Sequence, residues 1–295
     1  MSRQFILSFT RIKHGRHFIR LTSVLQAASE ILFVHDYVPC NTVSPFSGDI
    51  MTAQGIFITG TDTGVGKTFV SAALLSVLRS RGVDAVPMKP VQTGASGRNG
   101  RWCSPDLDFC LAMAGLQPGP VEYARMAPCC FAQACSPHLA AAVAGRRIGF
   151  RRINACLRAL QARHAMVIVE GAGGVCVPIQ GRQTMLDLMG ALDLPVVVVA
   201  RLGLGTINHT LLTINGLRRS QVRVLGVVFN ATQPGRFGYI ERDNIKTIMR
   251  LGAVRVLGRL PFVPDVATRS ADQFHRAVAA CLPPAAAWLK WLQSP

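Results

Sequence analysis

Residues Gly60 to Thr68, GTDTGVGKT, combine three glycines with a lysine and a hydroxyl, a set that can hold phosphate groups. They follow an apolar run and open an amphipathic stretch, which is the context that a phosphate-binding loop requires. In such a loop the backbone N–H groups surround the phosphates, Lys67 reaches the β- and γ-phosphates, and the Thr68 hydroxyl can contact Mg²⁺. The spacing is unusual, because five residues instead of four separate Gly60 from Gly66. The nucleotide-binding residues predicted here are Gly64, Val65, Gly66, Lys67, Thr68 and Phe69.

Glu170 is the first candidate for a metal-binding carboxylate. It ends an apolar run and is followed by Gly171, Ala172 and Gly173, which leave room for a ligand. A strand ending in this way places the carboxylate at the sheet edge where ligands bind in open α/β folds. Mg²⁺ commonly takes one or two carboxylates besides phosphate oxygens and water. The alternative is an ordinary surface glutamate at a strand end.

Two further segments could add charge to the same edge. Lys89 ends another apolar run in the segment MKPVQTG, where it could neutralise a transferring phosphoryl group or an acidic substrate, and Thr93 adds a hydroxyl. A plain surface lysine is the alternative. Asp106 and Asp108 lie at a helix start, where either could simply favour that helix end electrostatically.

The elements that must position these residues follow a regular pattern from Gly55 onward. Short β-rich runs alternate with helical stretches, which is typical of a parallel sheet built from βαβ units. The predicted strands cover residues 55–59, 85–89, 166–170, 195–200, 225–230 and 256–260. The predicted helices cover residues 68–81, 106–114, 137–144, 153–163, 207–219 and 242–251, with a short C-terminal helix around Trp288 and Trp291. Because the strands are continuously apolar, we expect them to be buried on both faces.

This pattern predicts a single α/β domain over residues 51–295, a P-loop NTPase-like mostly parallel sheet with helices on both faces. Residues 1–50 show little periodicity and are interpreted as an extension outside the fold. A basic transit peptide and a disordered tail are the other interpretations of this extension. Met51 is a plausible alternative start.

Composition limits the class of partner. Lys and Arg number 32 against 15 Asp and Glu, giving a formal net charge of +17, but the basic residues are scattered and no aromatic platform for bases accompanies them. No stretch approaches the roughly 20 apolar residues of a membrane helix. The nine cysteines lack paired CxxC spacing, which favours reduced thiols. We expect a cytoplasmic enzyme of small molecules, without a nucleic-acid or membrane partner.

Seven motifs, taken in order, resemble the dethiobiotin synthetase family over residues Gly55 to Pro261. They are GTDTGVGKT, MKPVQTG, SPDLDFCLAMAG, SPHLAA, VEGAGGV, LGTINHTLLT and VLGVVFN. The resemblance implies a homodimer that joins CO₂ to 7,8-diaminononanoate at the expense of ATP. A substrate amine forms a carbamate, ATP phosphorylates it, and the second amine closes the cyclic urea.

The resemblance also implies residue roles. Lys67 and Lys89 resemble the two catalytic lysines, and Thr68, Asp106 and Glu170 resemble the Mg²⁺ ligands. Asp106 is preferred to Asp108 because its distance to the Ala-Gly at 114 and 115 suits the family pattern. The remaining nucleotide contacts are assigned to Gly171, Ala172, Gly173, Asn230, Ala231, Leu260, Pro261 and Phe262, with Asn230 recognising adenine. The substrate contacts are assigned to Thr63, Thr93 and Asn208, the last holding the substrate carboxylate across the dimer interface.

Three departures and two rival classes qualify the resemblance. Gly64 replaces an acidic residue of some members, Ala231 replaces an aspartate, and Tyr239 is out of register with a tyrosine that contacts substrate. A cobyrinate-type amidating enzyme would need a glutaminase domain, for which there is no room after residue 262. A partitioning or division-site ATPase that binds DNA or membrane typically carries an extra lysine where Thr61 and Asp62 stand.

Overall fold

The structure, a computed structural model, describes residues 54–98 and 101–293, all within one compact unit. The predicted extension over residues 1–50 lies outside the described residues. No helix of the described ranges is long and apolar enough to cross a membrane.

A six-stranded parallel sheet forms the centre of the fold. Its strands are β1 (Gln54–Gly60), β2 (Ala85–Met88), β7 (Met166–Gly174), β10 (Val196–Arg201), β11 (Val224–Asn230) and β12 (Val256–Leu260). Their order across the sheet is β12-β11-β10-β1-β7-β2, and every neighbouring pair is parallel. All six predicted strands are present, and the mostly parallel sheet is confirmed.

The apolar strands pack on both faces of the sheet, as their composition predicted. Along β1, Ile56 and Ile58 belong to one buried cluster and Phe57 to the other, because successive side chains point to opposite faces. The same alternation occurs in β7, where Ile168 and Val167 lie in different clusters. Because all six strands run parallel, their carboxyl ends lie at one edge of the sheet, the carboxyl edge, where the site residues lie.

Helices cover both faces and connect the strands. They are α1 (Lys67–Arg79), α2 (Pro105–Met113), α3 (Pro120–Met126), α4 (Pro137–Val143), α5 (Phe150–Gln161), α6 (Met185–Leu192), α7 (Thr206–Arg219), α8 (Tyr239–Gly252), α9 (Ala271–Val278) and α10 (Ala285–Gln293). Each predicted helix is present with ends shifted by a few residues. The prediction missed α3, α6 and α9, which are short.

Three small ladders lie outside the main sheet and were not predicted. They pair β3 (Val91–Thr93) with β6 (Cys129–Phe131), β4 (Ser96–Arg98) with β5 (Arg101–Cys103), and β8 (Pro178–Gln180) with β9 (Gln183–Thr184). Strand β3 matters for the site, because it carries Thr93 away from the main sheet immediately after Lys89.

The eight cysteines in the described ranges are free thiols, and Cys176 is the exposed one among them.

Candidate active site

The phosphate-binding loop connects the central strand β1 to α1. The loop closes on itself at Gly60, where an added Cβ would lie 2.7 Å from a Val65 methyl group. Gly66 adopts a left-handed conformation with φ 92°, which favours glycine, and it is followed directly by helix α1. Lys67 Nζ donates to the carbonyl oxygen of Asp62 at 2.9 Å, so the ammonium group folds back over the loop. This is the geometry of a cradle for phosphate oxygens.

Asn230, at the carboxyl end of β11, packs directly against this loop. Its amide nitrogen donates to the Val65 carbonyl oxygen at 3.0 Å, and a Cβ on Gly66 would collide with that nitrogen. Asn230 is buried, and its Oδ1 accepts no hydrogen bond from the described residues. The requirement for glycine at 66 therefore has two causes, the backbone conformation and the close approach of Asn230.

Arg201 holds the first half of the loop from the neighbouring strand. It ends β10, its guanidinium donates to the Thr63 carbonyl oxygen at 3.1 Å, and it lies 3.6 Å from the Asp62 carboxylate. Both side chains of the ion pair are about half exposed. Arg201 therefore contacts the loop at the protein surface and does not form a buried ion pair with it.

Lys89 lies between two carboxylates at the carboxyl edge. Its Nζ is 2.6 Å from Asp106 Oδ2 and 2.7 Å from Glu170 Oε1, and the Thr68 hydroxyl donates to that same Glu170 oxygen at 2.8 Å. Lys89 and Glu170 are both buried, with 4% of each residue exposed, while a third of the Asp106 side chain is exposed. The two residues meet because β2, which ends just before Lys89, pairs with β7, which contains Glu170.

The two lysines respond differently to burial. Burial and then the positive charge of Lys89 lower the pKa of Lys67 to about 8, against the opposing effect of the nearby carboxylates. Burial also lowers the pKa of Lys89, but the charges and hydrogen bonds of Glu170 and Asp106 outweigh it and raise that pKa above the usual value. Lys89 is therefore a fixed cation, whereas Lys67 titrates near physiological pH.

These groups face a cleft of about 400 Å³ beside the phosphate loop. Its lining residues are Thr63, Gly64, Gly66, Lys67, Thr68, Lys89, Val91, Gln92, Thr93, Asp106, Glu170, Ala172 and Gly173. The cleft thus brings together the predicted lysines, metal ligands, most of the predicted loop residues and two of the three predicted substrate contacts. Asp108 lies elsewhere, since it accepts a hydrogen bond from the Tyr123 hydroxyl at 2.6 Å. The local sequence did not decide between Asp106 and Asp108 as the metal ligand. In the structure Asp106 lines the cleft and Asp108 does not.

Several predicted site residues do not line this cleft. Phe69, Val65 and Gly171 are not part of its lining, and Val65 is fully buried. The group predicted to contact the base, Asn230, Ala231, Leu260, Pro261 and Phe262, lies at the carboxyl ends of β11 and β12, where Ala231 N donates to the Leu260 carbonyl at 3.0 Å. Asn208 is an exposed residue of the first turn of α7.

Sequence reasoning missed three polar residues at the site. Arg201 could have been found, because it directly follows an apolar run in the sequence, as Glu170 does. Gln92 lines the cleft and accepts a hydrogen bond from Ser104, which lies at the N-terminus of α2. No sequence pattern predicted that pair, because the contact depends on the departure of β3 from the main sheet.

A parallel sheet whose central strand ends in this loop, with a lysine and hydroxyl at the start of α1, defines a P-loop NTPase-like protein. Solved structures agree on the fold. The chain resembles the MinD cell division protein complexed with Mg-ADP from Pyrococcus horikoshii OT3, with a TM-score of 0.52, 15% identity, and coverage of 81% of this chain and 94% of that one. For the MinC:MinD complex of Aquifex aeolicus the TM-score is 0.51, with 14% identity and coverage of 82% and 98%.

Sequence comparisons define the family. A family model described as an AAA domain matches residues 54–270. The ATP-dependent dethiobiotin synthetase BioD of Anaeromyxobacter sp. (strain K) is 45% identical over 217 residues, which is 74% of this chain and 94% of that protein. The protein of the same name from Anoxybacillus flavithermus is 38% identical over 214 residues, covering 72% and 93%. The chain belongs to the ATP-dependent dethiobiotin synthetase family, as the seven motifs indicated.

Proposed function

We propose that this enzyme closes the ring of dethiobiotin from 7,8-diaminononanoate and CO₂ with ATP, through a carbamate and a carbamoyl-phosphate mixed anhydride. One amine attacks CO₂ and loses a proton to give the carbamate. A carbamate oxygen then attacks the γ-phosphorus, and ADP leaves. The second amine attacks the carbonyl carbon, phosphate leaves with the C–O bond electrons, and a proton is released. The observation that supports this proposal best is the convergence of Lys67, Lys89, Glu170 and Asp106 on one cleft beside the phosphate loop.

The two lysines have distinct tasks in this proposal. Lys67 begins α1 and reaches over the phosphate loop, where it balances charge on the terminal phosphates. Lys89 faces the same cleft as a permanent cation, so it can hold the carbamate oxygens and stabilise charge that develops during phosphoryl transfer. Thr93, on the strand after Lys89, offers a hydroxyl to the substrate side of the cleft.

The donor set fits Mg²⁺. Thr68 Oγ1 and Glu170 Oε1 are 2.8 Å apart, and Asp106 Oδ2 reaches the same ammonium group as Glu170, so three hard oxygen donors share one small region. Two carboxylates and a hydroxyl, completed by phosphate oxygens and water, are typical of Mg²⁺ in nucleotide sites. A bound Mg²⁺ would neutralise charge on the β- and γ-phosphates. Thr68, Asp106 and Glu170 are the residues that would hold it.

The base is assigned to the ends of β11 and β12. Asn230 Oδ1 is a buried acceptor without a donor among the described residues, and a buried acceptor usually has a partner. The amino group of adenine would supply that donor, and Pro261 and Phe262 would pack on the ring. This arrangement supports ATP as the nucleotide.

We propose that residues 51–295 form the enzyme domain and that residues 1–50 are an extension outside this fold. Deletion of residues 1–50 should leave turnover and melting temperature unchanged. A drop in turnover or in melting temperature would contradict this assignment.

The free thiols fit the reducing cytosol, where we place the reaction.

The direct test measures ADP release by purified protein with Mg²⁺, bicarbonate, ATP and diaminononanoate, omitting each in turn. We expect release to need all four, and dethiobiotin to appear in equal amount. ADP release that is independent of diaminononanoate would contradict the proposal. Tight, strongly salt-sensitive DNA binding in parallel would favour the partitioning class instead.

A further inference from the structure

A chain of buried hydrogen bonds connects the start of α2 to strand β3. The Ser104 hydroxyl accepts a hydrogen bond from the Leu107 N–H at 3.3 Å, which caps α2, and it donates to Gln92 Oε1 at 2.7 Å. Gln92 Nε2 in turn donates to the Thr93 carbonyl oxygen at 2.7 Å. Ser104 is fully buried and Gln92 is 6% exposed, so water does not compete for these bonds.

The direction of every bond in this chain is determined by its chemistry. A backbone N–H can only donate, so the single hydroxyl proton of Ser104 is free for Gln92. The Thr93 carbonyl can only accept, so the Gln92 nitrogen must face it and the Gln92 oxygen must face Ser104. On its other side, Ser104 N donates to the Tyr123 hydroxyl at 2.8 Å, which donates to Asp108. The first turn of α2 is therefore fixed both to β3 and to α3.

The elements connected in this way carry two of the residues assigned to the reaction. Asp106 is the second residue of α2, two positions after Ser104, and Thr93 follows Gln92 on β3. Strand β3 pairs with β6 and not with the main sheet. The sheet that fixes Lys89 and Glu170 therefore does not fix Thr93 by its own hydrogen bonds, and the Gln92–Ser104 bond joins β3 to the helix that carries Asp106.

We propose that Ser104 and Gln92 are positioning residues of the reaction, which set the distance between the substrate side of the cleft at Thr93 and the carboxylate of Asp106. This inference rests on the proposed function. Because the amine substrate must meet the phosphoryl group at a fixed geometry, loss of the link should impair turnover of diaminononanoate. The phosphate loop does not take part in the chain of bonds, so affinity for ATP measured without Mg²⁺, to which Asp106 does not contribute, should be unaffected.

A matched control distinguishes the proposed positioning role of Ser104 from a purely structural role as a helix cap. Ser270 caps α9 through the same kind of bond, with its hydroxyl accepting from Gln273 N–H at 3.3 Å. Ser270→Ala removes a cap and no cleft link, whereas Ser104→Ala removes both. Gln92→Met breaks the link from the other end, keeps a similar volume and leaves the Ser104 cap in place.

The experiment compares kcat, KM for diaminononanoate and ATP affinity in the full-length enzyme and in the variants Ser104→Ala, Gln92→Met, their double variant and Ser270→Ala. We expect kcat/KM for diaminononanoate to fall about 10- to 100-fold in Ser104→Ala and Gln92→Met. The double variant should be no worse than Ser104→Ala alone, because the Gln92 change then removes a bond that is already lost. ATP affinity measured without Mg²⁺ should stay within about 2-fold of the unmodified enzyme, and Ser270→Ala should match the unmodified enzyme in all three quantities.

Amide hydrogen exchange gives a readout independent of activity. Amides of residues 91–95 should exchange about 5-fold faster in Ser104→Ala and Gln92→Met, but not in Ser270→Ala. Unchanged exchange in this segment, or additive losses in the double variant, would overturn the positioning role. Failure of the proposed function is distinct, because it would show as absent diaminononanoate-dependent turnover in the unmodified enzyme.

Discussion

At the scale of single residues, the site is arranged as a balanced set of charges. Lys67 and Lys89 carry two positive charges, and Glu170 and Asp106 carry two negative ones, all facing the same cleft. Burying one charge of such a set without the others would cost several kcal/mol, on the order of 3–5, because an uncompensated ion loses its hydration. The composition of the cleft thus explains why a buried lysine at position 89 can stay charged.

Lys89 gives the first prediction. Lys89→Ala should lower turnover by at least about 100-fold, because it removes a cation aimed at charge that develops in the transition state. The fold should persist with a lower melting temperature, because the partly exposed Asp106 can be solvated, whereas the buried Glu170 loses its cation and keeps the hydrogen bond from Thr68. Steady-state ADP release and circular dichroism check both statements. Lys246→Ala, an exposed lysine on α8, is the control, and turnover of Lys89→Ala equal to that of the control would exclude the assigned role.

Lys67 gives a prediction about pH. Its pKa is lowered to about 8, so the free enzyme loses this positive charge as the pH rises above 8. Bound phosphate stabilises the charged form, and ATP binding should therefore take up a proton above pH 8. We expect ATP affinity to fall about 10-fold between pH 7 and pH 9, as a single group with this pKa requires.

Calorimetric titration with ATP in buffers of different ionisation enthalpy measures both the affinity and the proton uptake. Lys67→Arg keeps its charge across this range and serves as the control. If the affinity of the unmodified enzyme were as flat with pH as that of the variant, Lys67 would not be the titrating group.

At the scale of elements, the sequence predicted the strands and helices that show a regular apolar pattern, and it missed the short ones. All six strands of the main sheet were predicted: five are apolar runs that are mostly buried, and the edge strand β12, which contains Arg259, is partly buried. The three small ladders were not predicted, because their strands of two or three residues are too short to show an apolar pattern, and the β3–β6 pairing also joins segments distant in sequence. The predicted start of α5 at Ile153 was three residues late, because its first turn carries Arg151 and Arg152 on the exposed side.

Arg201 gives a prediction at this scale, because it connects β10 to the phosphate loop. Arg201→Ala should weaken ATP binding about 3- to 10-fold, as expected for loss of one partly exposed charged contact and one hydrogen bond. The effect should shrink at high salt, because both partners are about half exposed. Binding titrations with ATP at two salt concentrations provide the test.

Arg219→Ala, at the exposed end of α7, controls for the change in net charge. Equal affinities of the two variants would mean that the Arg201 contacts do not hold the loop in the conformation that binds ATP.

At the scale of the whole molecule, one rule predicted most of the candidate site. Parallel strands end at a common edge, so polar residues that follow apolar runs must meet there, and Lys89 and Glu170 do. The Ser104–Gln92 link could not be predicted in this way, because it joins a loop strand to a helix N-terminus. Its residues carry no periodicity that distinguishes them from ordinary turn residues.

The homodimer that the family resemblance implies gives the last prediction. Leu212 is 62% exposed and lies one helical turn after Asn208 on α7, and Leu204, in the loop just before α7, is fully exposed. Exposed apolar side chains thus lie near the residue assigned to the substrate carboxylate, and they are suited to an interface that completes the site.

Leu212→Asp should yield a monomer, because burying a carboxylate in an apolar interface is unfavourable. KM for diaminononanoate should rise at least about 10-fold, since a lost carboxylate contact to a neutral partner costs about 1.5 kcal/mol, while ATP affinity should be unchanged. Light scattering with size-exclusion chromatography measures the mass, and Val121→Asp, 69% exposed on α3, is the matched control. An unmodified enzyme that is monomeric at working concentration, or a Leu212→Asp variant with unchanged mass and KM, would contradict an interface on this side of α7.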